Sequence, residues 1–308
     1  MLRAPKVIGK RIAATILLGM SAASVQPSKR VMAFSDADAG APAKSNSHAA
    51  LKSVSATSPD IPLIDFDSDA ERELLELANK ARAQAGAPPL SLDAGLTKAA
   101  RTHAEAMLDA RGLSHQFAGE PSLTQRVATA TRTQLDQEGE NVALDFDPAH
   151  AQEALMLSPP HRANLLNANY NVVGLGVIRS GDRLYIVQDF GHALPNYSVD
   201  EVKERIANVV GQARRLAGQR GLARQDLPNL DAIACSMAQA DKLSTAAVQQ
   251  LAQRYSVLSF TTLRPESLPE NASQILGSHN LRSFSIGACY ARTGTYPTGV
   301  YWVVLAFD

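Results

Sequence analysis

Residues 171–191 read NVVGLGVIRSGDRLYIVQDFG, and this stretch decides the fold class. Two apolar, β-branched runs, NVVGLGVI and LYIVQDFG, flank the polar RSGDR, which is the pattern of a β-hairpin. The chain upstream has the opposite periodicity. SPPHRANLL, residues 158–166, places a proline pair where a helix start tolerates it, with Ser158 as a candidate cap and Leu165-Leu166 following. From Asp69, DAERELLELANKARAQAG spaces Leu74, Leu75, Ala78 and Ala81 at three and four residues, and Gly86 can end that helix. A second helix puts Leu96, Ala100, His103 and Met107 on one face, with Gly112 as its stop. Helices followed by a closing hairpin predict an α+β, sandwich-like domain.

At 308 residues, 45% of them hydrophobic and 19% charged, the chain is long enough for about two packed domains. Lys plus Arg and Asp plus Glu number 30 each, so overall charge favours neither a nucleic acid nor an anionic membrane as partner. The start reads as an export signal over residues 1–23: a basic MLRAPKVIGKR, an apolar IAATILLGMSAA too short to anchor, and small residues at Ser21-Ala22-Ala23. A buried N-terminal helix is the alternative. No transmembrane anchor is expected after cleavage, and residues 24–65, rich in Ala, Ser, Asp and Pro, read as a flexible linker.

Candidate chemistry lies between residues 100 and 190. His103 on its apolar helix face is either a core histidine or a ligand. LSHQF carries His115 and GEN carries Glu140, both in less regular sequence where loops present side chains, and Gly139 lets a backbone or ligand approach closely. His161, near the positive end of a helix, is biased to its neutral form. Neutral imidazoles and a carboxylate suit a divalent metal such as zinc, so His115, His161 and Glu140 are candidate ligands, with Glu140 the candidate catalytic group. The same three residues can instead hydrogen-bond local backbone. There is no HExxH and no GxSxG around Ser158, and Cys235 and Cys289 fall outside the motif-bearing region, so a nucleophilic hydrolase is disfavoured.

The ordered series ARTHAEAML, LSHQF, GENVA, SPPHRANLL, VVGLGV and YIVQDFG resembles the bacterial branch of the CAP superfamily, the cysteine-rich secretory, antigen-five and pathogenesis-related proteins with SCP domains. The resemblance implies an α-β-α sandwich over residues 66–197, a secreted or periplasmic location, and a shallow cleft lined by histidine and glutamate. It carries over to His115, Glu140 and His161, with Pro160 in place of the usual glycine. Asn141, Arg162 and Gln188, which belong to the same motifs, join the expected cleft set. A second family glutamate and a strand histidine fall on Ser158 and Tyr185 here, which weakens a catalytic reading. The expected function is therefore an extracytoplasmic module binding a lipid, glycan or envelope protein. The alternative is a zinc-dependent hydrolase of amide or ester bonds.

Residues 198–308 resemble the first half: ARRLAG from Ala213 parallels ARAQAG from Ala81, and VYWVVLAF from Val300 parallels RLYIVQDF from Arg183. ACSMAQADKL from Ala234 likewise parallels ARTHAEAML. A smaller, degenerate copy is expected, in which Met237 replaces His103 and Leu305 replaces Gln188. An unrelated small α/β domain is the other reading. Pro269-Glu270-Asn271 faintly echoes GEN, and the counterpart of SPPHRANLL looks too short for a full helix. Cys235 on an expected helix and Cys289 on an expected strand suit a disulfide in an exported protein, or two buried thiols.

Overall fold

The computed structural model describes residues 65–308; the expected signal peptide and nearly all of the expected linker lie outside the described residues. The first half runs α1 (Ser68–Ala85), β1 (Ser91–Leu92), α2 (Ala94–Ala110), α3 (Leu123–Ala130), β2 (Leu135–Asp145), α4 (Pro148–Leu157), α5 (Pro159–Leu165), β3 (Val172–Ser180) and β4 (Arg183–Ala193). Its four strands lie in the order β1-β3-β4-β2, with β3 and β4 forming the predicted hairpin and β2 at the edge. The fold is an α-β-α sandwich. Leu74, Ala78, Leu155 and Leu165 pack on the sheet face that carries Leu175, Ile186 and Phe190. Ala100, Ala104 and Met107 of α2 pack on the opposite face against Val142, Tyr185 and Val187.

The local signals account for most of these elements. Asp67, Asp93 and Asp147 accept backbone N–H bonds at the starts of α1, α2 and α4, and Gly86 closes α1 in the left-handed region at φ 75°. The end of α2 differs from expectation, because Arg111 rather than Gly112 takes the left-handed cap. Gly174 and Gly176 bring α2 down onto β3: a Cβ at Gly176 would lie 2.5 Å from the Ala100 carbonyl carbon.

The second half runs α6 (Val199–Leu216), β5 (Ala223–Arg224), α7 (Leu230–Ala240), α8 (Ala246–Leu251), β6 (Ser256–Thr262), α9 (Ala272–Leu276), β7 (Ser283–Ala291) and β8 (Val300–Phe307). Its sheet order, β5-β7-β8-β6, repeats that of the first sheet position for position, as do the parallel and antiparallel pairings. Arg82 in α1 donates to the carbonyls of Leu165 and Asn167, and Arg214 in α6 donates to those of Leu276 and Ser278. A single helix, α9, connects β6 to β7 where α4 and α5 connect β2 to β3. Asn271 starts α9, so Pro269-Glu270-Asn271 stands at the beginning of a helix and not on the strand that carries GEN.

Cys235 of α7 and Cys289 of β7 are joined in a disulfide across 54 residues. Replacing both by serine is expected to lower stability by about 2 to 4 kcal/mol through the freedom returned to the unfolded chain. Thermal unfolding under oxidising conditions checks this, and an unchanged midpoint contradicts it.

Candidate functional site

His115 sits in the loop between α2 and α3, and that loop is fastened from below by the fully buried His103. The His103 ring has Nδ1 at 2.6 Å from Glu120 Oε1, and its Nε2 donates to the Ser114 carbonyl at 2.9 Å. Glu120 Oε2 in turn accepts from the Phe117 N–H at 2.9 Å. Both His103 nitrogens are thereby engaged within the chain, which makes it the core histidine of the two readings. It shapes the site from behind.

Glu140 lies on β2 and not in a loop, which corrects the sequence expectation. Gly139-Glu140-Asn141 has weak intrinsic strand preference, and pairing with β4 overrides it. Strand alternation then separates the predicted cleft residues. Glu140 pairs in register with Asp189 and shares the α2 face; Asn141 pairs with Gln188 and shares the α5 face. Asn141 Nδ2 donates to Gln188 Oε1 and to the His161 carbonyl, each at 3.2 Å. Asn164 Nδ2 donates to Asn141 Oδ1 at 3.0 Å and to the Glu140 carbonyl at 3.1 Å. Asn141 and Gln188 are buried, so they build the wall behind α5, while Arg162 is exposed on that helix.

The expected close approach at Gly139 is real, but the visitor is internal. A Cβ there would lie 2.5 Å from the Tyr170 hydroxyl, which donates to the Glu138 carbonyl at 3.1 Å.

On the α2 face the structure brings together more charge than the sequence motifs foretold. His115 Nδ1 is 2.8 Å from Glu140 Oε1. Glu140 Oε2 accepts from Nη2 of Arg126, a buried residue of α3 whose Nη1 also donates to the Pro121 carbonyl at 3.1 Å. Asp189 is fully buried, and neither of its carboxylate oxygens has a hydrogen-bond partner. Burial first, and then the Glu140 charge, push its carboxyl well above the usual range, against the opposing pull of Arg126. Sequence reasoning missed both residues. Arg126 reads as a solvent-facing charge on a short helix, and Asp189 as one polar position in a strand.

His161 enters from α5. Ser158 occupies the N-cap position but makes no capping bond; its Oγ lies 2.8 Å from His161 Nδ1 instead. Burial, and to a lesser degree the neighbouring His115, hold His161 below the ordinary histidine value, so the neutral ring is favoured. His115, in the α2–α3 loop, reaches Glu140 of β2, while His161 of α5 is tied to Ser158. His115 remains 59% exposed at its side chain while Glu140 is 4% exposed, so the carboxylate lies behind the accessible imidazole.

The donor set fits a cation poorly in this arrangement. Both Glu140 oxygens are already engaged, and the Arg126 guanidinium beside them repels positive charge. Among the described residues, no group of three or more His, Cys, Asp or Glu is arranged to hold a metal ion. No helix among them is long and apolar enough to cross a membrane.

The CAP model, of the cysteine-rich secretory protein family, matches residues 75–190. Residues 75–190 are a CAP domain of that family. Among curated proteins, the chain is 33% identical over 115 residues to uncharacterized protein YkwD of Bacillus subtilis (strain 168), covering 36% of this chain and 43% of that protein. It is also 33% identical over 126 residues to uncharacterized membrane protein YlbC of the same strain, covering 41% and 35% respectively. The chain thus spans less than half the length of either. Among solved structures, an SCP-domain extracellular protein from Bacillus anthracis str. Ames matches at 25% identity and a TM-score of 0.38, covering 41% of each chain.

Proposed function

We propose that this protein is an exported CAP-domain binding module that holds its ligand or partner at the His115–His161 cleft. One observation carries the reading: Glu140 is shared between His115 and Arg126. A carboxylate so engaged orients an imidazole for contact and is poorly placed to act as general base or metal ligand. With Nδ1 of His115 engaged by Glu140, its Nε2 is left for an outside partner. The exposed Leu113 lies two residues before His115 and the exposed Leu157 directly before Ser158, and apolar side chains so close in the chain to both histidine segments favour a lipid over a glycan or an envelope protein. Export is supported by the disulfide, since such bonds persist in oxidising compartments. The C-terminal half reads as a degenerate copy of the CAP domain, with Leu305 at the register position of Gln188; the matching left-handed caps of α2 and α7 align Met237 with Met107, so Ile233 and not Met237 stands where the first half has His103.

A metal-dependent hydrolase is the second reading, favoured by the contact of the exposed His115 imidazole with the Glu140 carboxylate and opposed by Arg126. Calorimetric titration with zinc separates the two, using the wild type, His115→Ala and His161→Ala. The binding-module reading expects no tight one-to-one uptake by any of them. Tight uptake by the wild type, lost in either variant, overturns it. The positive arm follows the ring resonances of His115 and His161 by NMR during addition of a soluble short-chain phospholipid. Both are expected to shift together, and His161→Ala to abolish the His115 response.

A further inference from the structure

Side-chain links between the two halves converge on one short segment of the first. Arg292, the residue after β7, donates to the carbonyls of Ala128 and Thr131, the latter at 2.6 Å. Arg264, two residues after β6, donates from Nε at 3.0 Å and from Nη2 at 2.5 Å to Asp136 Oδ2. The other Asp136 oxygen is 2.6 Å from His192 Nδ1 on β4. Between these points Gln134, almost fully buried, donates to the Tyr301 hydroxyl at 3.1 Å, and Tyr301 donates to the Tyr197 carbonyl. The contacts made by Arg292, Arg264 and Gln134 fall within residues 128–136, which run from the end of α3 through its connection into the start of β2.

That connection has the two partners of the buried ion pair on either side of it: Arg126 just upstream in α3, and Glu140 just downstream in β2. An eight-residue helix is marginal alone and depends on its ends being satisfied. The start of α3 is closed by the Ser122–Gln125 capping box. Its end, where unpaired carbonyls and the negative pole of the helix gather, is met by the Arg292 guanidinium from the other half. Close fit on the far side comes from Gly95, where a Cβ would lie 2.3 Å from Thr131 Cβ.

We propose that the C-terminal half is a brace for the cleft, with Arg292 and Arg264 as positioning residues that hold residues 128–136 and, through them, the Arg126–Glu140–His115 arrangement. This rests on the cleft being the working site, but its test needs no ligand. A looser supporting shell displaces a site by the ångström that decides its fit.

The experiment is hydrogen exchange on the full chain, wild type against Arg292→Ala and Arg292→Lys, alongside modification of histidines by diethyl pyrocarbonate. Arg292→Ala is expected to speed exchange of the amides of residues 123–131 about tenfold, the size expected for losing charged hydrogen bonds at a helix end. Amides of α1 are expected to stay unchanged. Modification of His115 is expected to accelerate relative to the exposed His279 in the same sample, and Arg292→Lys to fall between. Unchanged exchange at 123–131, or an equal rise throughout α1 and α3, overturns the brace. Faster exchange at 123–131 with unchanged His115 modification overturns its link to the cleft. Failure of the cleft to bind any ligand would leave these exchange results as they are, so the two readings fail separately.

Discussion

Replacing Arg82 with alanine will cost the first half at least about 4 kcal/mol, enough to bring a domain of ordinary stability close to unfolding. Arg82 is fully buried in α1 and donates from Nε to the Pro88 carbonyl at 2.7 Å. Its Nη1 donates to the carbonyls of Leu165 and Asn167, each at 2.9 Å, and its Nη2 to that of Tyr170 at 2.8 Å. No other residue type presents a planar fork of donors to four carbonyls, so lysine is expected to rescue little. Alanine leaves a cavity and four orphaned acceptors, each worth about 1 to 3 kcal/mol when buried without a partner. Three of those carbonyls belong to the end of α5 and the turn after it, so the loss also frees the segment that presents His161. Urea unfolding followed by circular dichroism measures the effect. A change below about 1 kcal/mol would show that water or backbone rearrangement replaces the guanidinium.

The second large effect is expected at Arg126. Removing one member of a buried ion pair typically costs about 3 to 5 kcal/mol because the other charge is left desolvated and alone. Arg126 and Glu140 side chains are 2% and 4% exposed, and Asp189 stands beside the carboxylate. Arg126→Leu is therefore expected to lose about 3 kcal/mol or more, and Arg126→Leu combined with Glu140→Leu to recover much of it, a coupling that a double-mutant cycle reads directly. Additive losses would mean that the two groups act independently. Asp189 gives the same cluster a pH dependence of known sign. Its carboxyl is held well above its unfolded value, so above about pH 4 the native state keeps a proton that the unfolded chain releases. Its contribution to stability is complete below that pH and declines as pH rises. Asp189→Asn should raise stability at neutral pH and flatten the decline; a steeper decline would show that the carboxylate is ionised and held by Arg126.

The β3–β4 hairpin and the helix at SPPHRANLL were legible because each rests on local rules: strand alternation around a Gly-Asp turn, and prolines tolerated in a first helical turn. The cysteine pairing was legible for the same reason, once Cys235 had a helix and Cys289 a strand. Glu140 was misread because its neighbours look like a turn, and only the register with β4 makes them a strand. With that strand assigned, the parting of Glu140 from Asn141 and Gln188 follows from alternation alone. Arg82, Arg126 and Asp189 gave no signal in the sequence. Charged residues on helices and strands ordinarily face water, and their burial here is decided by partners 83, 14 and 49 residues away.

The disulfide lies wholly within the C-terminal half. Both cysteines of the chain are in that half, so the N-terminal half contains no thiol. A cell that makes this protein under reducing conditions would accordingly obtain two halves of unequal quality, an N-terminal half with every native covalent bond and a C-terminal half awaiting oxidation. Recombinant production inherits the same imbalance: preparations from a reducing cytoplasm would differ from exported material chiefly in their C-terminal half, a difference that a thiol-reactive dye on the intact chain reports in one measurement.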